Sequence, residues 1–178
     1  MISHFIIILF FTLSIQTSIR KVHIIYGNHL DIGYTDFSVD VINKYFDYHF
    51  PQILKNIDDL SKHNINYVFT THAWLIHLYL HCNATIIDRD VHCPSNKTIM
   101  VFKKAIMNGH ITWHSLPMNT FTELQNEYIL DANIKFVHAL DKELGLPLKT
   151  VVSQRDVPGM TIGVLPIFVN NGIRAISV

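Results

Sequence analysis

The chain has no excess of either charge: 14 lysines and arginines are matched by 14 aspartates and glutamates, and no dense Lys/Arg run breaks the 178 residues. Proteins that neutralise many phosphates carry such an excess, so nucleic acid is not an expected partner. Cysteine is scarce, with Cys82 and Cys93 the only two, leaving room for a single disulfide. Internal repeats, low-complexity tracts and linkers are missing as well, so one domain is expected. The longest apolar run, residues 5–15, falls short of the roughly 20 residues that span a bilayer. It suits the apolar part of a secretory signal over residues 1–18, followed by Gln16-Thr17-Ser18, and no stable membrane anchor is expected. What the chain does have is core-forming material: 49% hydrophobic residues and a mean hydropathy of +0.23 exclude disorder as the default. It also has 12 histidines, more than a chain of this size usually carries.

Two further features agree with export. Asn83-Ala84-Thr85 and Asn96-Lys97-Thr98 have the spacing of N-glycosylation acceptors, with Asn83 and Asn96 as the modified residues, in a polar stretch expected to be a loop. Cys82 and Cys93 bracket that stretch. In an oxidising compartment they would close it into a loop; the alternative is a pair of free buried thiols, and spacing alone does not decide.

Short apolar runs alternate with longer helical ones. Strands are expected over residues 22–27, 66–71, 110–114, 150–154 and 174–178. Helices are expected over 37–60 with a break near Pro51, over 73–81, 98–107 ending at Asn108-Gly109, 120–144 opened by a Thr120/Glu123 capping box, and 161–171. Repeated strand–helix–strand order argues for an α/β fold with a parallel sheet, either an open layered sheet or a barrel. Because a final strand at the chain end would leave an exposed sheet edge, a longer parent protein is expected.

In parallel α/β folds ligands bind beyond the carboxyl ends of the strands. Polar residues gather at that edge: His29 and Asp31 after the first strand, His72 and Trp74 after the second, His114 and Asn119 after the third, Arg155 and Asp156 after the fourth. His29 and Asp31, two residues apart on extended backbone, should point the same way, and imidazole with carboxylate is a donor pair suited to zinc. Gly33 then lets the chain turn. Neither His72 nor His114 is expected to ligate a metal directly.

The segments Gly27-Asn28-His29-Leu30-Asp31-Ile32-Gly33-Tyr34, Ile111 to Pro117, and Gln154-Arg155-Asp156-Val157-Pro158-Gly159 resemble the N-terminal catalytic domain of glycoside hydrolase family 38, the α-mannosidases, and more closely an uncharacterised branch of that superfamily. The resemblance spans residues 22–178. It implies the first strands and helices of a seven-stranded (β/α) barrel, incomplete at the C-terminus, and a zinc-dependent retaining glycoside hydrolase acting on carbohydrate. By the same resemblance His29, Asp31 and Asp156 hold one Zn2+ and Asp156 is also the catalytic nucleophile, while His72, Trp74, His114 and Arg155, from their place at the strand-end edge, are expected to bind substrate. The remaining zinc ligand and the general acid would lie beyond Val178, so this stretch by itself is not expected to turn substrate over. Tyr34 stands where the α-mannosidases usually carry Trp, and Val157-Pro158 replaces Pro-Phe, so mannose specificity does not follow. Two alternatives compete: a metal-dependent carbohydrate deacetylase, in which activated water cleaves an acetyl group, and a non-catalytic carbohydrate-binding or vestigial protein.

Overall fold

The structure, a computed structural model, describes residues 24–82, 90–157 and 159–177. The expected signal segment and Asn83 lie outside these residues. Among the described residues there are five short parallel strands: β1 (Tyr26–Gly27), β2 (Phe69–Thr71), β3 (Ile111–Trp113), β4 (Val151–Ser153) and β5 (Ala175–Ser177). The helices are α1 (Ser38–Lys44), α2 (Phe50–Ser61), α3 (Ala73–Leu80), α4 (Asn96–Met107), α5 (Glu127–Glu143) and α6 (Leu165–Asn170).

The strands form two small sheets, β1-β2-β3 and β4-β5, and the seven-stranded barrel is not supported. Within each sheet the pairing is parallel, with Phe69 opposite both Tyr26 and Ile111, and Val152 opposite Ile176. Past Trp113 the chain bends through residues 115–118, so that a backbone bond from Ser115 N–H to Val151 O at 2.8 Å links the sheets without forming a strand ladder. The fold is therefore α/β with parallel sheets, as the strand–helix alternation implied, but open.

Several elements differ from expectation for local reasons. Residues 38–61 run as one continuous helical rod, in which a π-turn over Tyr45–His49 precedes α2. Pro51 comes just after the π-turn, and that wider turn, in place of the break expected there, takes up the ring and the missing N–H inside the continuous rod. The helix expected from residue 120 begins at Glu127 instead, capped by Asn126, whose Oδ1 accepts from Ile129 N–H at 2.9 Å. Thr120 is not a cap: its hydroxyl accepts from Gln125 Nε2 and its carbonyl from Gln154 Nε2. Ser95 caps α4, its Oγ accepting from Thr98 N–H at 3.2 Å, so Asn96 sits exposed in a helical first turn rather than in a loop. Pro166 falls in the first turn of α6.

Two apolar clusters hold these elements. The larger joins the inner faces of α1–α4 to β2 and β3, with Phe50, Tyr79 and Phe102 completely buried. Their rings stack edge-on or tilted at 4.5 to 4.9 Å between centroids, a geometry favoured by the ring quadrupoles. The smaller cluster packs Val152, Val164, Phe168 and Ile173 under β4 and β5. Helix α5 belongs to both, giving Leu130 and Ile134 to one and Val137 and Leu140 to the other, which fixes the two sheets against each other. Cys82 and Cys93 form a disulfide with their Cα atoms 5.5 Å apart, closing the segment after α3.

Candidate functional site: a histidine–carboxylate cluster at the strand ends

A cleft of about 1080 Å³ extends from residues 147–150, ahead of β4, to the carboxyl ends of β1 to β4. His29, Asp31, His72, His114, Asn119, Arg155 and Asp156 all line it, whereas Trp74 does not. Trp74 packs instead against the main core from α3, its backbone N–H donating to Pro117 O at 3.0 Å. Trp113, completing β3, is tied into the interior: its indole N–H donates to the buried carboxylate of Asp141 at 3.0 Å.

The expected pair does converge. His29 Nε2 lies 3.0 Å from Asp31 Oδ1 and 3.3 Å from Asp156 Oδ2. One ligand atom from each of the three lies within 4.8 Å of the others. A neutral imidazole and two carboxylate oxygens make a donor set suited to zinc, and three protein ligands leave room for water or substrate. The cluster thus fits the metal that the resemblance implies.

The backbone prepares this arrangement. Gly27 ends β1 against β2 so closely that a Cβ there would meet Thr70 O at 3.2 Å, which favours glycine just before the ligand loop. Gly33 has φ +80°, so the turn predicted after Asp31 uses the left-handed region that glycine adopts without strain. Asp156 also has positive φ, +64°, a conformation that disfavours most residues by about 1 kcal/mol and that aspartate tolerates better than most. Its side chain remains largely exposed, at 77%.

Tyr45, unmarked in the sequence, and Asn119, placed at this edge without a role, brace the site. Asn28 Nδ2 donates to Tyr45 Oη at 2.9 Å, and Tyr45 Oη donates to His29 O at 3.4 Å, so the π-turn tethers the ligand loop. Burial chiefly raises the Tyr45 pKa, the Asn28 contact lowers it and the nearby Asp31 raises it further. Asn119 clamps the Arg155 backbone, donating from Nδ2 to Arg155 O at 2.7 Å and accepting from Arg155 N–H at Oδ1, 3.3 Å. That clamp fixes the amide so that Nδ2 also faces His29 Nδ1 at 3.4 Å. Nδ1 is then an acceptor and the His29 proton resides on Nε2, facing the two carboxylates. The signal for Asn119 was its position at the same strand-end edge; nothing in the sequence marked Tyr45.

His72 and His114 form a buried pair behind the cluster, rings edge to face at 5.2 Å. The hydrogen bonds define both tautomers. Leu116 N–H donates to His114 Nδ1 at 3.2 Å, so His114 Nε2 carries the proton and gives it to His72 Nδ1 at 3.3 Å. His72 must then carry its own proton on Nε2, which has no hydrogen-bond partner among the described residues. Burial, and then the neighbouring His29, push the His72 pKa down to about 4, with the Asn28 backbone pulling weakly the other way. Burial and the His72 ring push His114 down to about 3. Both rings are neutral near pH 7, and the His72 Nε2–H is buried behind the cluster. Arg155 lies at the opposite wall, where its guanidinium donates to Ser177 Oγ at 3.0 Å.

Compared with family models, curated proteins and solved structures, the chain matches none. Among the described residues no helix is long and apolar enough to cross a membrane.

Proposed function

We propose that the cleft is a zinc-dependent carbohydrate site of the α-mannosidase kind, with Asp156 as the nucleophile of a retaining glycoside hydrolase reaction. The observation that carries the reading is the meeting of His29, Asp31 and Asp156 at one point, from segments more than 100 residues apart in sequence. Bound there, zinc would supply a Lewis acid able to hold vicinal sugar hydroxyls. His29 and Asp31 hold the metal side of the site. Asp156, exposed and braced through the Asn119 clamp on Arg155, presents its second oxygen to the anomeric carbon. That oxygen forms the new bond as the bond to the leaving oxygen breaks and the leaving group departs with its electron pair. The Arg155 guanidinium supplies donors for sugar hydroxyls around that position.

A retaining reaction also needs a carboxylic acid to protonate the leaving oxygen, roughly 5 to 5.5 Å from the nucleophile. The carboxylates lining the cleft are Asp31 and Asp156, both already in the ligand cluster. A substrate with a leaving group that needs no proton therefore tests the nucleophile alone. A dinitrophenyl 2-fluoro-glycoside should attach its sugar to Asp156 in the presence of zinc, detected by intact mass and peptide mapping. The Asp156→Asn chain should remain unlabelled. Acetate release from acetylated glycosides, with linkages intact and no label on Asp156, would instead favour a deacetylase. The Cys82–Cys93 disulfide supports placing the chain in a secretory lumen or outside the cell, where thiols stay oxidised.

A further inference from the structure

Helix α3 is apolar almost throughout, with Ala73, Leu75, Ile76, Leu78, Tyr79 and Leu80 buried. The exception is one stripe at helical spacing, Trp74, His77 and His81, which are partly exposed. Two histidines four residues apart project from the same helix face. Facing them is the end of α5. His77 rests on the Phe136 ring at 5.0 Å between centroids, and the His77 and His81 rings lie 4.6 Å apart. Glu143 reaches His81 Nε2 with Oε1 at 3.0 Å and Oε2 at 3.1 Å. One ligand atom from each of His77, His81 and Glu143 lies within 4.8 Å of the other two.

We propose that His77, His81 and Glu143 form a second divalent-metal site that clamps α3 to α5. Two imidazoles and a carboxylate are a donor set that zinc accepts in tetrahedral geometry with a water in the remaining position. Zinc bonds of about 2.0 to 2.1 Å bring ligand atoms to roughly 3.3 Å from one another, so small rotations of solvent-facing side chains suffice. The two helices bearing the ligands are rigid supports: α3 is packed on its other faces and fixed at its end by the Cys82 disulfide, and α5 spans both apolar clusters. The residue after the first histidine is Leu78, where helical zinc hydrolases of the His-Glu-x-x-His pattern carry their general base. That general base is not supplied here, and the role assigned to the metal is to hold α3 against α5. Its ligands share no residue with the His29 cluster, so the two sites can be separated by mutation.

The test uses the full-length oxidised chain in a His29→Ala/Asp31→Ala background, which silences the first cluster. Co2+ should bind this variant with the visible absorption of a four-coordinate ion, and Zn2+ should displace it at one equivalent. His77→Gln and Glu143→Gln should each weaken binding by about tenfold or more. Glu143 is exposed on its helix end, so its variant keeps the fold even if the His77 variant loses packing on Phe136. Zn2+ should also raise Tm in the background variant and leave the Glu143→Gln variant unmoved, because a ligand stabilises only the form that binds it. Saturable binding unchanged by Glu143→Gln, or no saturable binding in the background variant, overturns the proposal.

Discussion

Lowering the pH should unfold this protein through its buried histidine pair. In the native chain His72 titrates at about 4 and His114 at about 3, both below the 6.5 of an exposed imidazole. As pH falls below about 6.5 the unfolded chain takes up protons that the native state refuses, so the stability contributed by the neutral pair is fully present above that pH and is lost toward pH 4. A single such ring makes stability fall by up to about 1.4 kcal/mol per pH unit, and two by up to about 3 kcal/mol per unit near pH 5. Against a typical total of about 5 to 15 kcal/mol, two units of acidification are enough to approach unfolding. Urea denaturation followed by circular dichroism at pH 7, 6, 5 and 4.5, with chelator present, gives the slope. His114→Asn keeps an acceptor for Leu116 N–H while removing one titrating ring, so its slope should be shallower by roughly 1 kcal/mol per unit. Carboxylate contributions are common to both chains and cancel in the difference. Equal slopes would show that His114 is not held neutral by burial and would refute this account of acid unfolding.

Three further outcomes are expected. Asp156→Asn should leave stability within about 0.5 kcal/mol of the parent, whereas Asp156→Ala should lose about 1 kcal/mol because its backbone sits at φ +64°; thermal unfolding compares them. Asn119→Ala should weaken zinc binding by about tenfold in a direct titration, since it removes the amide that clamps Arg155 beside Asp156 and faces His29 Nδ1. Asp141→Ala should destabilise by about 3 to 5 kcal/mol in urea titrations, because it leaves the Trp113 indole N–H and the Lys149 backbone N–H without their acceptor and strips the Lys149 ammonium of its partner.

Much of this was legible in residue order. The strand–helix alternation correctly implied parallel strands, and a strand-end histidine, aspartate and glycine in close succession correctly located the cleft and its left-handed turn. The alternation left an open sheet and a barrel both possible, the seven-stranded barrel came from the resemblance, and the bend through residues 115–118, which interrupts the sheet after Trp113, has no periodic signature. The start of α5 was misplaced because Thr120 satisfies its hydroxyl within the loop, and Asn126, which the sequence reading did not mark, caps the helix instead. Trp74 was expected to bind substrate because it follows a strand, yet helix α3 begins at once and packs it against the core. Asp141 was readable in hindsight, since it continues the apolar stripe of Leu130, Ile134 and Val137, and an acid on such a stripe calls for internal partners. The His77–His81–Glu143 cluster required the packing of two helices, which no local pattern encodes.

The central claim is that His29, Asp31 and Asp156 share one divalent ion. Zinc titration by calorimetry in a Glu143→Gln background, where the helical cluster is silenced, addresses it directly. One equivalent should bind, and His29→Ala, Asp31→Ala and Asp156→Ala should each weaken that binding by about tenfold or more. Zinc affinity indifferent to Asp156 would contradict it, because the distant carboxylate would then stand beside the pair without joining it.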